Sequence, residues 1–137
     1  MTQAQPRPPQ AIQLRVRYAE TDKMGVVYHA NYFVWFEVGR CELLRAVGRS
    51  YRDLEDAGVG LPVIEAHCEY RSPAKYDEEL QVKTWGQLLS AARIEFRYEV
   101  SRPADGTVNA VGRTVHAAVD ATGRPCRLPE YIQELLR

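Results

Sequence analysis

Cysteine is scarce in this 137-residue chain, and its three copies, Cys41, Cys68 and Cys126, stand far apart without a CxxC pair. That spacing argues against a disulfide framework or a zinc site, and the three read as reduced thiols. Histidine is equally rare, and no two of its three copies stand at ligand spacing, so no metal is expected and a metal hydrolase is disfavoured. A net charge is missing: eighteen basic residues balance eighteen acidic ones. Such a chain has no general attraction for polyanions, and no nucleic-acid partner is expected. Long apolar runs are also missing. The longest is YFVWF from Tyr32, against the roughly 20 residues a bilayer span needs, so no membrane span is expected. The opening MTQAQPRPPQ has no apolar stretch of the kind a secretion signal requires, and residues 1–10 read as a flexible, proline-stiffened tail. The expected location is the cytoplasm.

What is present is an ordinary globular composition, 45% apolar and 26% charged, in a length that suits one domain over residues 11–137. From Ile12 to Tyr18, apolar residues alternate with Gln13, Arg15 and Arg17, the period of a half-buried strand. Asn31 can cap a helix over Tyr32–Val47, which Gly48 closes. Its polar side is narrow, holding little beyond Glu42 and Arg45, and a helix this apolar all round is expected to be buried. A short helix ends at Gly58. Four more strands follow: Ile64–Arg71, Leu80–Leu89, Arg93–Val100 and Val108–Val119. Asp-Gly at 105–106 and Gly-Arg-Pro at 123–125 punctuate the last turns. Pro129 suits the first turn of a terminal helix.

Strand, long helix and four strands with short connections predict an α+β fold, a five-stranded antiparallel sheet wrapped around one central helix. One copy leaves sheet edges and helix surface uncovered, so self-association is expected.

The segment RVRYAETDKMGVVYHANYFVWFEVGRCELLR, together with HCEYRSPAKYDEELQV and HAAVDATGRPCRLP, closely resembles the 4-hydroxybenzoyl-CoA thioesterase-like branch of the hotdog-fold acyl-CoA thioesterases. The most specific part runs from Tyr18 to Glu37. The resemblance implies the fold just described, pairing into a homodimer or homotetramer, and hydrolysis of an acyl-CoA or aroyl-CoA thioester without a cofactor. It also implies that Asp22 attacks the thioester or activates a water, and that the backbone N–H of His29 polarises the carbonyl.

A thioester already has a good leaving group, so a positioned carboxylate and amide donors suffice; one oxyanion donor is worth about 3 to 4 kcal/mol. The start of the long helix can supply such donors and the positive end of its dipole. Gly25 lets the Asp22 loop fold close to substrate. The His29 imidazole can also donate a hydrogen bond or carry a proton. Tyr18, Tyr28 and Tyr32 are candidates for the acyl pocket, although aromatic residues beside a helix commonly serve packing alone. Arg93, with Arg71 and Lys75 as alternatives, is the candidate for the CoA phosphates; Ser90, Ala91 and Ala92 stand where some family members carry basic residues. Asp22 as a plain turn residue is the competing structural reading. His67 and His116 read as structural. The alternative function is a hotdog protein that binds an acyl ligand or acyl carrier without hydrolysing it, and a dehydratase on the same fold lacks its expected motif here.

Overall fold

A computed structural model describes residues 7–48 and 51–137. Its strands are β1 (Gln10–Arg15), β2 (Val63–Tyr70), β3 (Glu79–Ser90), β4 (Arg93–Arg102) and β5 (Thr107–Ala117). Its helices are α1 (Asn31–Ala46), α2 (Tyr51–Asp56) and α3 (Glu130–Leu136). All five strands join one antiparallel sheet in the order β1-β3-β4-β5-β2. The expected α+β architecture of five antiparallel strands and one long helix is the one the chain adopts. Most of the expected tail lies outside the described residues; Arg7 within it donates to the carbonyl of Glu134 at 3.2 Å.

Helix α1 buries Tyr32, Trp35, Phe36, Gly39, Leu43 and Leu44, a stripe at helical spacing. These residues pack on the inward row of the sheet, where Leu80, Val82, Ile94, Phe96 and Val100 are fully buried. Phe36 stacks on Tyr98 with ring centroids 4.3 Å apart. The helix lies over β1, β3 and β4. Strand β2, at the edge of the sheet, gains little cover from it. In consequence the expectation of an all-round buried helix is corrected: Val34 and Val38 are 51% and 44% exposed. Ile64 and Tyr70 alternate along β2 as expected, yet they too are about half exposed, at 46% and 47%.

His116 is structural, as expected. Its Nδ1 lies 2.9 Å from the Leu61 carbonyl and its Nε2 2.9 Å from Thr114 Oγ1, which is in turn 2.6 Å from the Tyr98 hydroxyl. The Leu61 carbonyl can only accept, so Nδ1 carries the proton and Nε2 accepts from Thr114. Burial first, and then the charge of Arg40, hold the imidazole below its ordinary pKa.

Strand β4 runs on to Arg102 and β5 stops at Ala117, each two residues from expectation, and two further differences have a visible cause. Strand β1 ends at Arg15 and not at Tyr18, because the Arg17 amide is taken by the Glu20 carboxylate at 2.7 Å and leaves the ladder. Tyr18 begins a 3-10 turn over Tyr18–Glu20 and is 78% exposed. Asn31 does not cap α1: Ala30 occupies that position, and the Asn31 amide side chain donates to the Glu20 carbonyl at 2.8 Å. Gly48 closes α1 as expected, at φ +89°. No described helix is long and apolar enough to cross a membrane.

Candidate active site

The connection from β1 to α1 is a small hairpin. Thr21 bridges Val27, the Asp22 amide donates to the Val26 carbonyl at 2.9 Å, and the Gly25 amide returns to the Asp22 carbonyl at 3.0 Å. Gly25 closes this turn at φ +80°, a conformation that L side chains enter only at a cost. The space around it is open, with nothing within 4 Å of where a Cβ would stand. Asp22 is half-buried at the tip. Its Oδ1 accepts from the Met24 amide at 2.8 Å and the Val26 amide at 3.4 Å, as a turn-forming aspartate does. No described residue donates to its Oδ2.

The hairpin returns to the start of α1 through Val27, whose amide donates to the Ala74 carbonyl at 2.8 Å, and Tyr28, whose amide donates to the Glu20 carbonyl at 2.9 Å. The Tyr28 carbonyl accepts from the Asn31 amide at 3.0 Å. In a trans peptide the C=O and N–H point in opposite directions. The Tyr28 carbonyl turns into the helix, so the N–H of His29 is aimed away from it. Among the described residues, no acceptor takes the amide of His29 or of Ala30, and no side chain caps the helix. On the other side, the His29 carbonyl accepts from the Tyr70 hydroxyl at 3.0 Å. Burial above all pushes that phenol up to about 12, so it remains a proton donor at neutral pH.

The structure therefore brings Asp22, Gly25, Tyr28 and His29 together on one hairpin and helix start. Tyr28 is half-exposed, its ring 4.4 Å from the His29 ring. Tyr32 is buried against Trp35 and Tyr70, with its phenol pushed up to about 12 by burial. Tyr18 sits edge-on to Tyr76, centroids 5.8 Å apart, out in solvent. Arg93 is not brought to this site. The hairpin meets the sheet at Lys75, and Glu78 beyond it pairs with Arg102 at 2.7 Å. Arg93 begins the ten-residue strand that Arg102 ends, about 30 Å away at ~3.3 Å per residue. Lys75 is bridged to the hairpin at Val26, and Arg71 follows Tyr70, whose hydroxyl reaches the His29 carbonyl. A cavity of about 1150 Å³, between Leu43, Val47, Trp85, Gly86 and Arg113, is lined by none of the seven candidates. Among the described residues, no three His, Cys, Asp or Glu side chains cluster as metal ligands.

Sequence reasoning overlooked Glu20. It is 6% exposed, with Oε1 held by the Arg17 amide and Oε2 by Trp35 Nε1 at 2.9 Å. Burial alone would raise this carboxyl, but the hydrogen bonds from Arg17 and Trp35 together hold it below the ordinary range. A glutamate two residues before Asp22 and a tryptophan in the facing helix were visible signals. Their pairing, fifteen residues apart, was not.

Residues 16–136 match the thioesterase-like superfamily. The chain belongs to that superfamily. The chain is 41% identical over 108 residues to a Bacillus subtilis (strain 168) protein named "Putative acyl-CoA thioesterase YneP"; the match covers 79% of this chain and 78% of that protein. The DHNA-CoA thioesterase of Staphylococcus aureus superposes with a TM-score of 0.85 at 36% identity, over 93% of this chain and 85% of that one. The hypothetical protein TT1821 of Thermus thermophilus superposes with a TM-score of 0.86 at 39% identity, over 92% and 95%. The fold is thus the hotdog fold of the thioesterases, and this superfamily member falls in the class the sequence implied, hydrolases acting on thioester bonds.

Proposed function

We propose that the protein hydrolyses an acyl-CoA or aroyl-CoA thioester to the free acid and CoA, with Asp22 as nucleophile or general base and the His29 N–H as oxyanion donor. What carries this reading is the presence, on one hydrogen-bonded hairpin, of a carboxylate oxygen, Asp22 Oδ2, that no described residue donates to and an amide, His29 N–H, that no described residue accepts from. The uncapped start of α1 adds its positive dipole end to that amide. Charge that develops on the thioester oxygen meets donors already in place.

Two routes balance. In the first, Asp22 attacks the acyl carbon, the thiolate leaves, and water hydrolyses the mixed anhydride. In the second, Asp22 takes a proton from water, hydroxide adds to the carbonyl, the C–S bond breaks, and the proton passes to the departing sulfur. Tyr28 and Gly25 border the acyl group in either route, and Tyr32 supports the pocket from beneath. Lys75, bridged to the hairpin at Val26, and Arg71 are the proposed contacts for the CoA phosphates; Arg93 reaches them only if a second copy contributes it. The half-exposed Val34, Val38, Ile64 and Tyr70, beside an unpaired edge strand, support assembly as a homodimer, or a homotetramer built from such pairs. The cytoplasm remains the proposed location.

Asp22 Oδ1 bound to two turn amides is the observation that favours the second reading, a binding protein in which this aspartate only shapes the turn. Free-thiol release from a panel of short, long and aromatic acyl-CoAs, for wild type and Asp22→Asn, separates the two. Hydrolysis of at least one substrate, reduced a hundredfold or more in the variant, is expected. Turnover in Asp22→Asn close to wild type would defeat the assignment, and tight ligand retention with no thiol release would favour the binder.

A further inference from the structure

We propose that Glu20 is the positioning residue of this site, setting the geometry of Asp22 and the His29 N–H relative to each other through hydrogen bonds to both halves of the hairpin and to α1. The proposal rests on the assignment of Asp22 and His29 above.

Glu20 accepts four hydrogen bonds from its surroundings. Its carboxylate accepts from the Arg17 amide at 2.7 Å, where the chain leaves β1, and from Trp35 Nε1 at 2.9 Å, one turn into α1. Its backbone carbonyl accepts from the Tyr28 amide at 2.9 Å and from Asn31 Nδ2 at 2.8 Å. Asp22 follows two residues later along the chain. The His29 amide is the next one after the Tyr28 amide that Glu20 holds. One residue therefore grips the chain just before the Asp22 carboxylate and just before the His29 amide.

A nearly buried carboxylate is costly unless its oxygens are satisfied, and a packed apolar side chain would fill the same space at less cost. The nearby guanidinium does not account for it: Arg17 Nε stands 3.5 Å away on a side chain 75% exposed. What the carboxylate does supply is two acceptors aimed at donors on separate elements, the β1 exit and α1. Reacting groups tolerate little misplacement; an error of about 1 Å can cost about a hundredfold in rate. At Gly25 nothing stands within 4 Å of where a Cβ would be, so the loop takes its placement from the Val26–Lys75 bridge and the Val27–Ala74 bond on its return side and from the Glu20 bonds at its base.

The test is a kinetic cycle. Glu20→Gln keeps the shape but turns an amide N–H₂ toward one of the two donors, breaking one bond of the pair. We expect kcat to fall ten- to a hundredfold with KM changed less than threefold, and the same substitution to change the residual turnover of Asp22→Asn less than twofold. A merely structural role would show in the melting temperature and would multiply with Asp22→Asn. Trp35→Phe, which leaves the carboxylate intact, should lower kcat several-fold in the same pattern and serves if Glu20→Gln does not fold. A kcat within twofold of wild type in both variants, or losses that multiply with Asp22→Asn, overturns the proposal while Asp22 stands. High turnover in Asp22→Asn alone overturns the assignment beneath it as well.

Discussion

Gly39 of α1 lies so close to Thr84 of β3 that a Cβ on the glycine would stand 2.4 Å from Thr84 Oγ1. The hydroxyl is fully buried and has no partner among the described residues. Helix and sheet meet here with no space for a methyl group. Gly39→Ala should therefore destabilise the protein by about 1 to 3 kcal/mol despite the better helix propensity of alanine. Thr84→Ala in the same chain should recover part of that loss, because it removes both the clash and an unsatisfied polar atom. Denaturant unfolding of the two single variants and the double variant reads the coupling; additive effects would contradict the contact.

Tyr70→Phe removes the hydroxyl that holds the His29 carbonyl. The expected stability loss is about 1 kcal/mol, the usual worth of one hydrogen bond. If His29 is the oxyanion donor, kcat should fall threefold to tenfold as its peptide loosens. The phenol is raised to about 12, so it stays protonated through the working range, and the wild-type rate profile should show no limb from its ionisation up to about pH 11. A wild-type kcat in Tyr70→Phe would separate the tyrosine from the site.

His116 links stability to pH. Its pKa in the folded state lies below the ordinary 6.5, so the unfolded chain binds a proton that the folded chain resists. Stability is then full above about 6.5 and falls as pH drops through the window between the unfolded and folded values, by at most about 1.4 kcal/mol per pH unit. The charge facing the ring is that of Arg40, which works in the same direction. Unfolding free energy measured from pH 7.5 to 5 should decline in the wild type and run flatter in His116→Gln. Parallel curves would show that the imidazole does not titrate as described. Glu20 acts lower down: its depressed pKa contributes stability that is lost only as pH falls below the ordinary carboxylate value of 4.5.

Val38→Glu places a charge on the uncovered face of α1, where the valine is 44% exposed. In a lone chain this substitution is nearly neutral. In a homodimer that buries the face it should halve the particle mass measured by light scattering and lower thioester turnover with it. A wild-type mass that is already that of one chain, or one unchanged in Val38→Glu, would remove this face from any interface.

Much of the architecture was legible in local pattern. Ile94, Phe96, Tyr98 and Val100 alternate along β4 because a strand repeats every two residues, and they are the buried face of the observed strand. Gly48 and Gly58 stop their helices with positive φ. The Asp22 turn and Gly25 were also visible, since a turn is made by residues that are neighbours in sequence. Tyr18 was misread because its alternation continues past the point where a side chain, Glu20, takes the backbone donor. Asn31 was misread for the same reason in reverse, a capping side chain engaged by another partner.

From its residues alone, this chain determined which segments become strands, where α1 begins and ends to within a residue, and which loop carries the carboxylate and the glycine. Tertiary structure decided that β2 sits at the sheet edge beyond β5, that Arg93 is far from Asp22, and that Glu20 reaches Trp35. The division has a physical cause. Periodicity and turn chemistry act between residues a few positions apart, whereas strand order and buried hydrogen bonds depend on which distant segments exclude water together.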